Sequence, residues 1–221
     1  MRIGYDLDGV LANFTDPYSA LLTKHAERLF PSRLRLLFPK ASDEWPVLWH
    51  WHKPVFEEAG FSESEMREVV RVAWDDLKSS SFWENLPSKH PAQTAHTLSN
   101  LTDWARSGHD VYFITSRPGP YAKVQSEQWL RNKGYYETPT VCIAQHKGPI
   151  AQSLELDLFV DDRPENIRDV YQARSGRCRV ALIDAPYNRN PGPVLEGLRY
   201  ERHSDPEGPL LKLFKEGQRA A

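Results

Sequence analysis

Short apolar runs recur along the chain without the alternation of apolar and polar residues that marks a strand with one buried face. Four of them end in polar or small residues, and a fifth candidate follows. They occupy residues 3–7, 111–114, 140–144, 156–160 and 179–183. Runs of this length are typical of strands that helices cover on both faces, with buried helical segments as the alternative. The pattern therefore favours a parallel sheet.

Segments of helical length separate these runs and occupy residues 91–107, 121–133, 148–154 and 164–173. Pro91 and Pro164 stand where the first turn of a helix tolerates proline. A glycine stands after three of the segments, where helices usually end: Gly108, Gly134 and Gly176. The alternation predicts an α/β fold, a Rossmann-like doubly wound parallel sheet, with its ligand site beyond the carboxyl ends of the strands.

Residues 14–85 break the alternation, because they carry helical rather than strand patterning. Residues 16–30 and 62–79 fit amphipathic helices. Ser62 and Glu65 have the spacing of a capping box at the start of the second of these helices. We therefore expect residues 14–85 to form an inserted helical cap.

The length of 221 residues suits one large domain, or a core domain with a smaller insert. The α/β core then comprises residues 1–13 and 86–203. After Pro186 the chain becomes rich in proline, glycine and charged residues. This composition predicts a loosely attached tail over residues 204–221.

Composition excludes several classes of protein. The 40% of hydrophobic and 26% of charged residues rule out global disorder, and a net charge of -2 gives no support for a polyanion-binding protein. The two cysteines, Cys142 and Cys178, are too few for a disulfide framework and fit a cytoplasmic location. No window approaches about 18 uncharged apolar residues, so we expect a soluble protein without a membrane partner.

Pairs of carboxylates follow the first and fourth apolar runs. Asp6 and Asp8 stand one residue apart with Gly9 behind them, and Asp161 and Asp162 are adjacent. The alternatives are a strand-ending turn for the first pair and a helix N-cap for the second. Carboxylates bind hard cations, and one of them can serve as a nucleophile.

Hydroxyl groups and cations accompany these carboxylates. Thr115, Ser116 and Arg117 follow the second run, and Lys147 opens the helical segment before the fourth. Taken alone, the hydroxyl pair would suit a helix cap and Lys147 an exposed position. The ends of successive parallel strands lie at one edge of a sheet, however, where such folds place their sites. Hydroxyls and cations there suit a phosphate.

Four motifs in this order resemble those of the haloacid dehalogenase superfamily of phosphotransferases. They are Asp6-Leu7-Asp8-Gly9-Val10, Thr115, Lys147 and Asp161-Asp162. The likeness covers roughly residues 1 to 190 and implies a doubly wound core with a cap.

Within this superfamily the sequence is most similar to the 5'(3')-deoxyribonucleotidases. The matching segments are residues 8–12, 82–87, 115–116, 160–166 and 186–189. The chain departs from that branch in two places. Arg117 follows Ser116 where a proline or another small step is common, and residues 88–91 replace the usual proline-glycine turn.

The resemblance implies a two-step phosphoryl transfer. Asp6 would attack phosphorus to form an aspartyl-phosphate, and Asp8 would protonate the leaving group and then activate water. The implied cofactor is Mg²⁺. Its ligands would be Asp6, the backbone carbonyl of Asp8, Asp161 and Asp162, the last directly or through water.

The resemblance also assigns the phosphate-binding groups. Thr115, Ser116 and Lys147 would donate to the phosphate oxygens, and Lys147 would hold Asp6 through an ion pair. Arg117 is a further candidate for substrate binding.

Aromatic residues are enriched in the predicted cap. They are Phe14, Phe30, Phe38, Trp45, Trp49, Trp51, Phe56, Phe61, Trp74, Phe82 and Trp83. Phe82 and Trp83 are candidates to stack on a nucleotide base, and the alternative is that these rings form the core of the insert. Residues 28–40 carry four cations and no acid, which suits a solvated face, cap packing or a grip on a nucleic-acid end.

The function implied is a magnesium-dependent phosphatase, a phosphoric monoester hydrolase similar to 5'-nucleotidases. Its small-molecule substrate would be a nucleoside monophosphate, in particular a deoxyribonucleotide. One alternative is a phosphatase of another ester, such as a polynucleotide 3'-end or a small metabolite. A second is a non-catalytic phosphate-binding module, which the presence of both Asp6 and Asp8 weakens.

Overall fold

The computed structural model describes residues 1–38 and 52–213. Six parallel strands form one sheet in the order β3-β2-β1-β4-β5-β6. They are β1 (Arg2–Tyr5), β2 (Asp110–Thr115), β3 (Thr140–Ile143), β4 (Leu158–Asp161), β5 (Arg179–Ile183) and β6 (Glu201–His203). The strand order reverses between β1 and β4, the place where such sheets bind ligands. The predicted doubly wound α/β fold is confirmed.

Seven helices lie between the strands of the described residues, four between β1 and β2 and one in each of the next three connections. They are α1 (Thr15–Leu29), α2 (His52–Glu58), α3 (Glu63–Ser79), α4 (Pro91–Arg106), α5 (Ala122–Asn132), α6 (Lys147–Ser153) and α7 (Pro164–Ala173). Short 3₁₀ turns lie at Trp83–Asn85, Pro186–Asn188 and Gly192–Leu195. No helix within the described ranges is both long and apolar enough to cross a membrane.

The apolar runs are continuous because both faces of the sheet are covered. Leu158 and Val160 of β4 belong to one hydrophobic cluster, and Phe159 between them belongs to the cluster on the opposite face. In β5, Ala181 and Leu182 divide in the same way. Successive side chains of a strand point to opposite faces, so a strand buried on both sides needs apolar residues at every position.

Three helices, α1 to α3, lie within the described part of residues 14–85, as the helical patterning of this segment predicts. The capping box is present, because the Ser62 hydroxyl accepts from the Glu65 amide and the Glu65 carboxylate accepts from the Ser62 amide. In the same insert, α1 is tied to α3 by His25, whose Nε2 lies 2.9 Å from Asp76 Oδ2. That this insert acts as a cap remains a prediction.

The C-terminal segment differs from the expected loose tail. Residues 204–213 pack on the core: the Tyr5 hydroxyl donates to the Pro206 carbonyl at 2.7 Å, and Leu210 is only 2% exposed. Polar residues that form a turn over 204–207 are followed by apolar positions that join the main core cluster. The proline, glycine and charged residues on which the prediction rested indicate the turn, but they do not indicate that the apolar residues after it pack on the core. Residues 214–221 of the predicted tail lie outside the described residues.

Candidate functional site

The register of the sheet brings the predicted site residues together. Tyr5 of β1 pairs with Phe113 of β2 and with Val160 of β4, so the residues that follow these strands meet at one edge. The Asp6 amide continues the ladder by donating to the Val160 carbonyl at 2.9 Å. Asp6 and Asp161 therefore lie side by side at the carboxyl end of the sheet.

Lys147 joins these two carboxylates. Its Nζ lies 2.7 Å from Asp6 Oδ1 and 2.7 Å from Asp161 Oδ2, and the residue is only 1% exposed. Burial disfavours the ammonium form, but the two carboxylates outweigh it and raise the pKa of Lys147. Lys147 is thus a charged, buried group of the site, and the alternative of an exposed lysine is excluded.

The start of α6 is held in place beside Lys147. The Gly148 amide donates to Asp169 Oδ2 of α7 at 2.7 Å. A Cβ at position 148 would lie 2.5 Å from Asp169 Oδ1 and 2.8 Å from the Asp169 carbonyl oxygen. Glycine is required here because α6 and α7 approach so closely, and this contact fixes where the Lys147 side chain begins.

Asp6, Asp161 and Asp162 form a buried cluster of three carboxylates. Each offers an oxygen that lies within 4.8 Å of the oxygens of the other two. Asp162 Oδ1 is buried and has no hydrogen-bond partner among the described residues. Burial raises the pKa of Asp162 well above its usual value, and the neighbouring carboxylates add to this effect. An all-oxygen cluster with an unsatisfied buried atom fits a hard divalent cation.

Asp6 is strongly perturbed in the same way. Burial raises the pKa of Asp6 to about 7 against the opposing effect of Lys147, and the charges of Asp161 and Asp8 raise it further. A divalent cation would reverse this balance and favour the carboxylate, which is the form a nucleophile needs.

The loop after Asp6 fits closely around Asp162. Gly9 has a φ of +84°, and a Cβ there would lie 2.0 Å from Asp162 Oδ2. From the other side, the Asn188 side-chain amide donates to the Asp162 carbonyl at 2.6 Å. Asp162 is thus enclosed between the loop after β1 and the 3₁₀ turn after β5.

Asp8 points to a different partner. Arg117 Nε and Nη2 donate to its two carboxylate oxygens at 2.9 and 2.8 Å, and the Thr115 hydroxyl lies 3.5 Å from Oδ2. Asp8 is not part of the three-carboxylate cluster. The two acids of the first motif therefore occupy separate environments, one beside Lys147 and one beside Arg117.

The helix-capping alternatives do not describe these residues. Helix α5 has Tyr121 at its N-cap, so neither Thr115 nor Ser116 caps it. The Ser116 hydroxyl instead donates to the Ala144 carbonyl at 2.8 Å. Helix α7 has Arg163 at its N-cap.

Two polar neighbours of the site were not among the predicted site residues. Asn166 Nδ2 donates to both carboxylate oxygens of Asp161, at 3.1 and 3.0 Å. Lys89 Nζ donates to the Gly9 carbonyl, and burial lowers the pKa of this lysine against the attraction of Asp162 and Asp184. Asn166 belongs to residues 160–166, which match the deoxyribonucleotidase branch, so the sequence could have indicated it. No local sequence pattern indicates Lys89.

Solved structures share this arrangement of sheet and helices. A haloacid dehalogenase superfamily hydrolase of subfamily IA from Geobacter sulfurreducens aligns at a TM-score of 0.56 and 17% identity, covering 95% of each chain. A hydrolase of this family from Deinococcus radiodurans R1, with bound phosphate and sodium, aligns at a TM-score of 0.55 and 14% identity, covering 97% of this chain and 95% of that one. The chain has the haloacid dehalogenase-like fold. At these identities the likeness concerns the fold.

Two sequence relatives carry nucleotidase names. "Putative nucleotidase OB0422" of Oceanobacillus iheyensis is 22% identical over 198 residues, which cover 86% of this chain and 90% of that protein. "Nucleotidase CA_C3379" of Clostridium acetobutylicum is 31% identical over 84 residues, 38% of this chain and 42% of that protein. No protein-family model matches the chain. The resemblance of the sequence to haloacid dehalogenase superfamily hydrolases and to nucleotidases is confirmed by the solved structures and by these two relatives.

Within this haloacid dehalogenase-like fold, Trp83 lies inside rather than at an open surface. It is 3% exposed, its Nε1 donates to the Pro118 carbonyl at 3.0 Å, and its ring stacks on Phe14 at 5.9 Å between centroids. Phe82 is partly buried and meets the Trp83 ring edge-on. These contacts favour the packing alternative for Trp83, and Phe82 remains the more accessible candidate. Trp45, Trp49 and Trp51 lie outside the described residues.

The described part of the basic segment, residues 28–38, is engaged within the insert. Arg33 Nη2 lies 2.9 Å from Glu65 Oε1, and Arg35 Nε lies 3.2 Å from Glu27 Oε1. Residues 39–40 of the segment lie outside the described residues. Exposed arginines with acidic partners in the same insert favour a solvated face over a nucleic-acid grip, and Leu36, which is 3% exposed, serves the packing of the insert.

Replacing Trp83 by leucine is expected to lower the melting temperature and to reduce turnover of every substrate by a similar factor. Leucine leaves part of the ring volume empty and removes the hydrogen bond to Pro118, with a cost of about 2–4 kcal/mol in unfolding free energy. Thermal unfolding and kinetics on a nucleotide and on a small alkyl phosphate, whose leaving group is as poor as that of the nucleotide, measure both effects. Loss of discrimination between the two substrates at unchanged stability would instead support base stacking.

Proposed function

We propose that this chain is a magnesium-dependent phosphatase that hydrolyses nucleoside monophosphates, in particular deoxyribonucleotides, through an aspartyl-phosphate. The observation that carries the proposal is the separation of the two acids of the first motif. Asp6 lies beside Lys147 in a carboxylate cluster, whereas Asp8 lies outside it on Arg117. One acid can thus remain a nucleophile while the other exchanges protons with the substrate.

The cluster supplies the residues that would hold the cation. They are Asp6, Asp161 and Asp162, together with the backbone carbonyl of Asp8. A bound Mg²⁺ would neutralise charge on the phosphoryl group and favour the ionised form of its carboxylate ligands.

Each side chain then has a defined task. Asp6 attacks phosphorus, with Lys147 holding the attacking carboxylate and placing a positive charge beside the phosphoryl oxygens. Asp8 gives a proton to the leaving oxygen, and in the second step its carboxylate takes a proton from the attacking water. Thr115 and Ser116, at the end of β2, are the proposed phosphate donors. Arg117, a candidate for substrate binding from the sequence, is not proposed as a phosphate donor, because its side chain is fully buried against Asp8.

Two kinds of evidence support the nucleotide as substrate. Both sequence relatives are nucleotidases by name. Phe14 and Phe82 stand where the chain enters and leaves the insert. Both are only partly buried, and their rings meet edge-on at 6.1 Å between centroids. The two free cysteines, Cys142 and Cys178, support a cytoplasmic location, which is part of the proposal.

A phosphate-release screen tests this function. The purified protein, with Mg²⁺ or with a chelator, is given ribo- and deoxyribonucleoside 5'- and 3'-monophosphates, a 3'-phosphorylated oligonucleotide and sugar phosphates. We expect release from nucleotides, greatest with deoxyribonucleotides, and none in the presence of chelator. Release from sugar phosphates or the oligonucleotide alone would assign the site to the corresponding alternative ester. Phosphate binding without any release would indicate the non-catalytic module.

A further inference from the structure

Arg117 stands where the sequence departs from the deoxyribonucleotidases, and its surroundings are unusual for a cation at a phosphate site. Its side chain has no exposed surface, and two of its nitrogens donate to the two oxygens of Asp8. A guanidinium engaged in this way has no N–H left on that edge to offer a phosphate ester.

Further contacts fix the orientation of the guanidinium. Its third nitrogen, Nη1, donates to Ser126 Oγ of α5 at 3.0 Å. The ring centroids of Trp83 and Trp129 lie 5.1 and 5.9 Å from its central carbon. The planar guanidinium is held by Ser126 of α5 and by two aromatic rings, so it can bind the carboxylate in one orientation only.

The position of Asp8 requires such support. Three other carboxylates lie at this edge of the sheet and share Lys147 or the candidate cation position. An aspartate side chain has several staggered rotamers, and Asp8 is only partly buried. The bidentate contact to Arg117 selects the rotamer that keeps the Asp8 carboxyl group apart from Asp6.

We propose that Arg117 is a positioning residue that orients Asp8 for proton transfer to the leaving group, and is not a ligand of the substrate phosphate. This role rests on the proposed function. In the step concerned, the bond between phosphorus and the leaving oxygen breaks as the Asp6 oxygen bonds to phosphorus. The proton of the Asp8 carboxyl group moves to the released oxygen, which leaves Asp8 as a carboxylate facing the two N–H groups of Arg117.

The two roles of an arginine at this site have different kinetic signatures. A residue that orients the acid affects kcat/KM for poor leaving groups, which need the proton, and spares kcat/KM for good leaving groups, because kcat/KM covers leaving-group release and not the later hydrolysis of the common aspartyl-phosphate. A phosphate ligand affects all esters alike, raises KM and weakens inhibition by inorganic phosphate. A purely structural residue changes stability and lowers all rates together.

The experiment compares Arg117→Met, Arg117→Lys and Ser126→Ala with the wild type. A deoxyribonucleoside monophosphate has a poor leaving group, and p-nitrophenyl phosphate has a good one. For Arg117→Met we expect kcat/KM to fall by about a hundredfold with the nucleotide and by less than about fivefold with p-nitrophenyl phosphate. The inhibition constant of inorganic phosphate stays within about twofold of wild type. Arg117→Lys recovers part of the nucleotide rate.

Ser126→Ala keeps the pair between Arg117 and Asp8 and should show the same selectivity to a smaller degree. It therefore provides the readout even if Arg117→Met does not fold. Arg131→Met, an exposed position on the same helix, is the matched control and should leave both rates unchanged. An equal loss of kcat/KM on both substrates, or a rise of the phosphate inhibition constant, would overturn the positioning role alone. Absence of phosphate release by the wild type would overturn the proposed function and this role with it.

Discussion

Asp6→Asn is expected to reduce phosphate release below detection while leaving the fold intact. Asparagine has nearly the same volume but cannot form the acyl-phosphate, and it removes one oxygen ligand from the carboxylate cluster. Lys147 keeps its second partner, Asp161, at 2.7 Å, so the buried ammonium remains paired. Phosphate release with Mg²⁺ present measures the effect on turnover.

The same substitution has a predictable effect on stability in the metal-free protein. Burial, and to a lesser degree Asp161 and Asp8, raise the pKa of Asp6 to about 7 against the effect of Lys147, so between about pH 4 and 7 the folded protein holds a proton that the unfolded chain has released. The free energy of unfolding of the wild type therefore falls as the pH rises through this window. Asp6→Asn removes the contribution of Asp6 to that fall and leaves the contribution of Asp162, so at pH 8 in chelator it should be at least as stable as the wild type.

Urea unfolding at several pH values, with chelator present, measures this difference. Asp75→Asn serves as the matched control, because the Asp75 side chain is 57% exposed on α3 and remote from the cluster. Near-normal turnover by a pure preparation of Asp6→Asn would show that Asp6 is not the nucleophile.

Lys147→Met is expected to lower the free energy of unfolding by about 3–5 kcal/mol in chelator and to abolish turnover. Methionine fills a similar volume, but Asp6, Asp161 and Asp162 then share one buried region without the cation that compensates them. Added Mg²⁺ should restore part of the stability, because a cation that binds only the folded protein stabilises it. Turnover should not return with it, since the positive charge beside the nucleophile is missing.

Lys123→Met is the control for this experiment, because Lys123 is 64% exposed on α5 and pairs with Glu127 at the surface. It should change stability by less than about 1 kcal/mol. Urea unfolding of both variants, with chelator or with Mg²⁺, gives the comparison. A Lys147→Met protein as stable as the wild type in chelator would mean that the carboxylates do not depend on this lysine.

The sequence was sufficient to predict β1 to β5. For the inner strands the reason is burial on both faces, which leaves a continuous apolar run. The edge strand β3 was recognisable because it keeps apolar residues, although Thr140 and Ile143 are exposed. The sequence was insufficient for β6, Glu201–His203, whose three residues are all polar or charged. This strand lies at the edge of the sheet, where side chains need not be apolar and charged residues discourage further pairing. The packing of Leu210 was missed for a related reason, since a single apolar helical turn after a polar loop is a weak signal.

The candidate site was predictable to the extent that it lies at strand ends. The positions of Asp6, Asp161 and Lys147 follow from the order of apolar runs and from the edge that parallel strands share. Which cation pairs with which carboxylate does not follow, because it depends on side-chain directions. Arg117 was expected at the substrate and lies against Asp8 instead, and Lys89 reaches the site from the segment that returns from the insert.

The place of β1 in the sheet also bears on how the protein folds. Arg2 pairs with Asp110 and Ile3 with Leu158, so β1 is synthesised before both of its partner strands, which lie far away in the chain. Such non-local pairing slows folding and leaves β1 unpaired while the helical insert is made. Asp6, the proposed nucleophile, is therefore synthesised long before its surroundings, which are complete only after β4 and Asp162 have joined the sheet.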